Sequence, residues 1–346
     1  MVQTELNERA LQVLQAVILD YIRTAEPVGS QAVAKHYAFK LSPATVRNTM
    51  AELEERGYLT QPHTSAGRVP TDKAYRLYVN ALSGQSQLSR REVDRLHRAY
   101  ATTSPVDDLM DWTAQELSRF SHYVAVVLAP PLKQTVFARL DLTPLPDDQV
   151  LALVVTDSGW VTSRIITLPA SASTERLVDL ARSFTGLYGG KAFQEILDRP
   201  PLQPGDAASG SDAEIINQVL SMLRDRNLYI GGAINILDHP EFWDLSSMRA
   251  VFRTFEEKRE LIGLLSERAE ESGVSVMIGR ENPYEEMQEC SLVTSTYTYR
   301  DRVLGILGVV GPKRMPYTKV VPLVDYTAKL VSRSLARLSQ DLHIPS

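Results

Sequence analysis

Between residues 5 and 24, Leu11, Leu14, Val17, Ile18, Tyr21 and Ile22 recur at intervals of three and four, the stripe of an amphipathic helix with one buried face. Pro27 and Gly29 stop it, and Ser30 is placed to cap a second short helix, SQAVAKHYA, through its hydroxyl. A third helix is marked at both ends in LSPATVRNTMAELEERG, with Ser42 as N-cap, Pro43 in the first turn and Gly57 past the last. At about 100° per residue, Val46, Met50 and Leu53 share its inner side. Ala44, Asn48, Ala51 and Glu55 lie opposite, with Thr45 and Arg47 flanking. YLTQ and RVPT then read as two short strands around the tip PHTSAG, where Pro62 and Gly67 break pairing and permit a turn. A further helix is predicted over residues 71–83.

SGQSQLS is rich in linker residues, and SRREVDRLHRAY after it is charged and helical in pattern, most simply a solvated face. From residue 122 the period changes to that of strands in HYVAVVLAP, TVFARLDLTPL, QVLALVVTD and GWVTSRIITLP, with Asp157-Ser158-Gly159 as a hairpin turn. Helical segments and loops follow over residues 173–272, with NLYIGGAINIL as a candidate strand among them. VSVMIG, SLVTSTYTYR and VLGILGVVG then resume strand character before a closing helix. Strands, helices and strands again predict an α+β chain in which one antiparallel sheet domain is interrupted by an insert.

A length of 346 residues suits two or three domains. The longest apolar runs fall well short of the roughly 18 residues of a membrane helix. The N-terminus lacks the basic start and apolar run of a signal peptide, so a cytoplasmic protein without a membrane partner is expected. Cys290 is the sole cysteine, which excludes an intrachain disulfide and a cysteine-cluster zinc site. The net charge of −5 does not point to nucleic acid, but its distribution does. Residues 27–80 hold Lys35, Lys40, Arg47, Arg56, Arg68, Lys73 and Arg76 against Glu52, Glu54, Glu55 and Asp72, a local positive surplus on an acidic chain.

Three helices followed at once by a two-stranded hairpin is the winged helix-turn-helix order. In that arrangement the N-terminal half of the third helix meets the major groove, where Asn48 suits adenine, Arg47 suits guanine, and Ala44 allows close approach. Ser42 and Thr45 share that end of the helix. On the hairpin, His63 and Arg68 are placed to reach phosphate or the minor groove, with Thr64 and Ser65 as donors to phosphate oxygens. Gly67 and Lys73 complete the expected DNA-binding set. Glu52, Glu54 and Glu55 would repel phosphate and are expected to point away from the duplex or lie beyond it. Read without its neighbours, the third helix is equally compatible with an ordinary solvated face.

Other patterns give no chemistry. GLYGGK lacks the glycine and hydroxyl residue of a phosphate-binding loop, GILGVVG is not a dinucleotide fingerprint, and ENPYEE reads as a capped helix start rather than a metal site. The six histidines show no zinc-ligand spacing, and no G-x-S-x-G elbow exists. No catalytic residue, metal or cofactor is expected, and the chain is not read as an enzyme.

SPATVRNTMAELEERGYLTQPHTSAGRVPTDKAYRLYV strongly resembles the N-terminal domain of the HrcA family of heat-inducible transcription repressors. GGAINILDHPEF, ENPYEEMQECSLVTSTY and LGILGVVGPKRMPYTKVVPLVDYTAKLVSRSL are similar to that family's downstream signatures, in the same order. The resemblance implies a winged-helix domain at 1–83, a linker at 84–106, a discontinuous GAF-like domain at 107–172 and 273–346, and an inserted dimerisation domain at 173–272. It further implies a homodimer that binds an inverted-repeat operator in double-stranded DNA upstream of chaperone operons, with the GroEL chaperonin supporting its activity. The alternative is a winged-helix regulator that senses a small molecule through its GAF-like domain.

Overall fold

The computed structural model describes residues 6–36, 41–63, 66–82, 87–100, 106–129, 136–157, 161–167, 173–198, 210–224, 228–299 and 302–341. Its head begins with α1 (Glu8–Thr24), capped by Asn7 and ended by Ala25 in the left-handed region at φ 58°. Helix α2 (Ser30–His36) starts at Ser30 itself, and the Gly29 carbonyl rather than the Ser30 hydroxyl meets the Val33 amide at 3.2 Å. Helix α3 (Pro43–Glu55) has the expected Ser42 cap, with Oγ accepting from the Thr45 amide at 3.1 Å. Gly57, at φ +75°, ends it, and the Tyr58 amide donates to Leu53 O while the Gly57 amide donates to Glu54 O. Val13, Leu14, Val17 and Ile18 of α1 are buried with Val33, Val46, Met50 and Leu53 in one core.

Strands β1 (Leu59–Thr60) and β2 (Val69–Pro70) pair antiparallel, Leu59 opposite Pro70. Val28 adds a third rung by exchanging two 2.9 Å backbone hydrogen bonds with Arg68. Helix α4 (Asp72–Ala81) follows directly. Its cap Thr71 also donates to Gly57 O at 2.7 Å, tying the end of α3 to the start of α4. Helix α5 (Arg90–Ala99) opens with a capping box between Ser89 and Glu92 and leads into α6 (Val106–Ser121).

The body is built on five antiparallel strands in the order β7-β3-β10-β9-β8. They are β3 (Val124–Leu128), β7 (Leu228–Gly231), β8 (Val274–Ile278), β9 (Cys290–Tyr299) and β10 (Arg302–Pro312). On one face, Ala125 and Val127 join Leu117 of α6 and Val324 and Val331 of α12 (Tyr317–Asp341). On the other, Val124, Val126 and Leu128 join Phe255 of α10 (Leu245–Glu257) and Leu261 and Leu265 of α11 (Arg259–Arg268). A strand covered on both faces must be apolar throughout, which explains the unbroken VAVVL of β3. The glycines of GILGVVG serve close packing: a Cβ on Gly305 would lie 2.5 Å from Leu128 O, the carbonyl that accepts from the Tyr297 hydroxyl at 2.9 Å. Cys290 is fully buried, and burial pushes its thiol up to about 12, so it is an inert packed residue.

The sheet organisation differs from the expectation that the strands of 107–172 and 273–346 form one sheet around an insert at 173–272. Only β3 of the first group joins the five-stranded sheet. β4 (Phe137–Leu145), β5 (Gln149–Thr156) and β6 (Val161–Thr167) form a separate three-stranded sheet. It packs on α7 (Thr174–Tyr188), with α8 (Phe193–Leu197) and α9 (Gly210–Arg224) alongside. Phe137 sits edge-on to Phe184 and Phe193, with ring centroids 5.3 and 5.7 Å away. Conversely, β7, α10 and α11, expected in the insert, belong to the main sheet and its cover. The physical reason lies in the strand pattern: β5 alternates buried and half-buried positions, as suits a sheet packed on one face. The ENPYEE stretch also differs, forming two short 3₁₀ turns, with buried Asn282 turning its amide nitrogen to the carbonyls of Gly279, Met287 and Cys290.

The head is seated on the body through α4. Arg76 forms a forked pair with Glu281 and donates to Val276 O at 2.6 Å. Asp72 accepts from the Arg280 amide at 3.0 Å and faces Lys313 at 3.5 Å. Gly279, at φ +54°, has no room for a Cβ beside the Asp72 carboxylate. At the other end of the contact Arg314 pairs with Glu241 and donates to Ile22 O at 3.1 Å, a favourable place for a cation at the C-terminus of α1.

Candidate nucleic-acid interface

The third helix turns Ala44, Arg47 and Asn48 to solvent, and holds Thr45 half-buried beside them. Val46, Thr49, Met50 and Leu53 anchor the opposite side, so the exposed trio is presented by a helix whose rotation about its own axis is fixed by packing. No acidic residue stands in its first turn, which leaves the partial positive charge of the helix start without a charged side chain to compensate it. Among the described residues Arg47 forms no ion pair. Ser42 is committed to its own helix, its Oγ meeting both the Thr45 amide and Thr45 Oγ1. Its role is to fix where α3 begins.

The acidic half of the same helix is neutralised from within the head. Glu52 pairs with Arg56 at 2.9 Å, and Glu54 pairs with Arg68 at 2.8 Å. Thus two of the three carboxylates expected to stand clear of a polyanion each carry a resident cation.

The hairpin presents His63 to solvent, and its tip is closed by the Ala66 amide donating to His63 O at 2.8 Å and by Gln61 Nε2 donating to Ala66 O at 2.9 Å. Thr64 and Ser65 lie outside the described residues. Gly67 is demanded by space: a Cβ there would fall 2.5 Å from the carbonyl carbon and oxygen of Val28. Arg68, expected at the tip, is instead about four-fifths covered and bound to Glu54, and Lys73 donates to Arg56 O at 3.0 Å with its ammonium over the Tyr58 ring at 4.3 Å. Both basic side chains therefore tie the hairpin and α4 to the end of α3. Among the described residues of the expected set, Ala44, Arg47, Asn48 and His63 are exposed without such a commitment, Thr45 is half-buried beside them, and Ser42 and Lys73, though exposed, are engaged within the head.

Sequence reasoning did not identify Glu54 as the partner of Arg68, nor Asp72, Arg76, Glu281, Lys313 and Arg314 as the residues that join head to body. Their pairings span up to about 290 positions, and no local pattern announces them. Among the described residues no group of three or more His, Cys, Asp or Glu is placed to hold a metal, and no helix is long and apolar enough to cross a membrane.

Residues 107–321 match the family model described as the HrcA protein C terminal domain. A heat-inducible transcription repressor HrcA of Geobacter sulfurreducens is 42% identical over 339 residues, covering 96% of this chain and 99% of that one. A repressor of the same description from Pelotomaculum thermopropionicum is 37% identical over 343 residues, covering 96% of this chain and 98% of that one. A solved structure described as "Crystal structure of a hypothetical protein at 2.2 A resolution" covers 96% of this chain and 100% of its own, with a TM-score of 0.68 at 21% identity, a likeness of fold.

Proposed function

Since this chain belongs to the HrcA family of heat-inducible transcription repressors, we propose that its head is a winged helix that reads operator DNA through α3. The observation that carries this reading is the exposed Ala44–Arg47–Asn48 face, free of acid in its first turn and rigidly oriented by the core behind it. In this reading α3 lies in the major groove, Asn48 and Arg47 contact base edges, and the hairpin bearing His63 runs along the backbone. The five-stranded sheet with its helices is the GAF-like body, and the dimerisation insert runs from the end of β3 to the start of β7. Ile165, Val178 and Leu187 are large apolar side chains exposed on that insert, and their exposure supports a homodimer on an inverted repeat in which a second copy would cover them. Repression is then occupancy of an operator ahead of chaperone genes in the cytoplasm, with the GroEL chaperonin sustaining the active fold.

A footprint of the purified chain on the DNA upstream of its own gene, with and without added GroEL, tests this. Two protected half-sites related by a dyad are expected, more fully occupied with the chaperonin. Protection of one half-site alone would refute the dimer, and no protection in either arm would refute the operator.

The Glu54–Arg68 pair yields a separate expectation. Glu54→Gln releases Arg68 beside the duplex, so binding should tighten on all sequences alike and the slope of log K against log salt should steepen by about one. An unchanged slope places Arg68 away from phosphate.

A further inference from the structure

Glu92 and Leu96 lie one turn apart on α5, with Leu88 just ahead of that helix, while Lys319, Val320 and Leu323 form one stripe along α12. Packed helices normally close to 8–10 Å between axes. These residues instead border a cavity of about 410 Å³ whose lining continues through Phe120 and Tyr123, where α6 turns into β3. Contacts at the rim hold α5 in place over it: His97 Nε2 lies 2.7 Å from the Tyr326 hydroxyl, and the Arg95 guanidinium sits 5.1 Å from the Phe120 ring centre. The space opens to solvent beside Lys319 and His122, and its volume falls in the range of small-molecule sites.

We propose that this cavity binds a small amphipathic organic anion, an aliphatic or aromatic carboxylate. The leucines, Val320 and Phe120 take its apolar body. Four titratable groups line the space, Glu92, His122, Tyr123 and Lys319, and burial pushes the Tyr123 hydroxyl up to about 12, which keeps it neutral. The Glu92 carboxylate is held by the Ser89 amide at 2.8 Å and the Ser89 hydroxyl at 2.6 Å, which directs its charge to the start of α5. Lys319, though within the electrostatic reach of Glu92, makes no ion pair among the described residues and is exposed, and His122, also exposed, lines the same cavity. Lys319 is the cation for the ligand's carboxylate, with His122 beside it. The cavity lies under the helix that leads from the head into the body, so an occupant that prefers the seated α5 biases where the head stands. That last consequence rests on the head being the DNA-binding part; the binding itself does not.

Calorimetric titration of the full chain with sodium octanoate, octylamine and 1-octanol, in the absence of DNA, tests the site. Octanoate should bind saturably, one per chain, and more tightly than the amine or the alcohol. Lys319→Gln should weaken it about fivefold, the worth of one partly exposed ion pair. Leu323→Trp and, from the opposite wall, Leu88→Trp should each abolish binding by filling the space, in protein whose circular dichroism matches the parent. Absence of saturable octanoate binding, equal or tighter binding of octylamine, or full binding in a folded tryptophan variant would each overturn the proposal. A failed footprint with intact octanoate binding would leave the site standing and remove only its link to DNA.

Discussion

Asn48→Ala and Arg47→Ala are each expected to weaken operator binding by roughly 1–3 kcal/mol, about 5- to 150-fold, and to relax the preference for one base at the position read. Both side chains are exposed on α3 and neither contributes to the head core, so the melting temperature should stay within error of the parent. The discriminating measurement is affinity for the operator and for random duplex at the same salt. A loss confined to the operator identifies a base contact, whereas an equal loss on both would assign the side chain to the backbone and leave recognition to other residues.

Gly67→Val should disable the hairpin by a different route. The added Cβ would stand 2.5 Å from Val28 C and O and 2.7 Å from Pro27 C, all backbone atoms that cannot swing aside. Relief requires the hairpin to leave Val28, which breaks both 2.9 Å bonds of the Val28–Arg68 bridge and draws Arg68 from Glu54. A cost of roughly 1–3 kcal/mol to the head is expected, in line with overpacking of a closed site. Calorimetry should show a destabilised head, and DNA binding should fall on specific and random sequence alike, since α3 keeps its side chains while the backbone contacts of the hairpin are lost. A variant as stable as the parent would contradict the close approach of the two segments.

Local signals in the sequence located elements well where a single segment settles its own fate. Ser42, Pro43 and Gly57 mark the limits of α3 because each acts on its neighbours within five residues. Pairing between distant segments was less legible. The strand character of 122–167 was plain, but its division into two sheets follows from which faces are covered, and the contrast between the unbroken β3 and the alternating β5 was the only trace. In the interface, exposure of Arg47 and Asn48 follows from helical period alone. The engagement of Arg68 with Glu54 and of Lys73 with Arg56 O depends on how a hairpin folds back on a helix, which spacing does not encode. The capped helix start read in ENPYEE is instead a compact turn, in which the carbonyls of Gly279, Met287 and Cys290, three, five and eight residues away, claim the Asn282 amide.

The pairing of Leu128 with Leu228 makes β3 and β7 adjacent rungs of one ladder, so the chain leaves the body and returns to it at the same point. The whole three-stranded unit is topologically the loop of a β-hairpin. Closing a loop of ~100 residues instead of ~10 costs only about 2 kcal/mol more entropy. If the excursion folds first, its own packing brings the two strand ends together, and a contact distant in sequence becomes nearly local before the body assembles. The same geometry makes the unit exchangeable: a tight turn joining Leu128 to Leu228 would leave the order and register of the five strands unchanged.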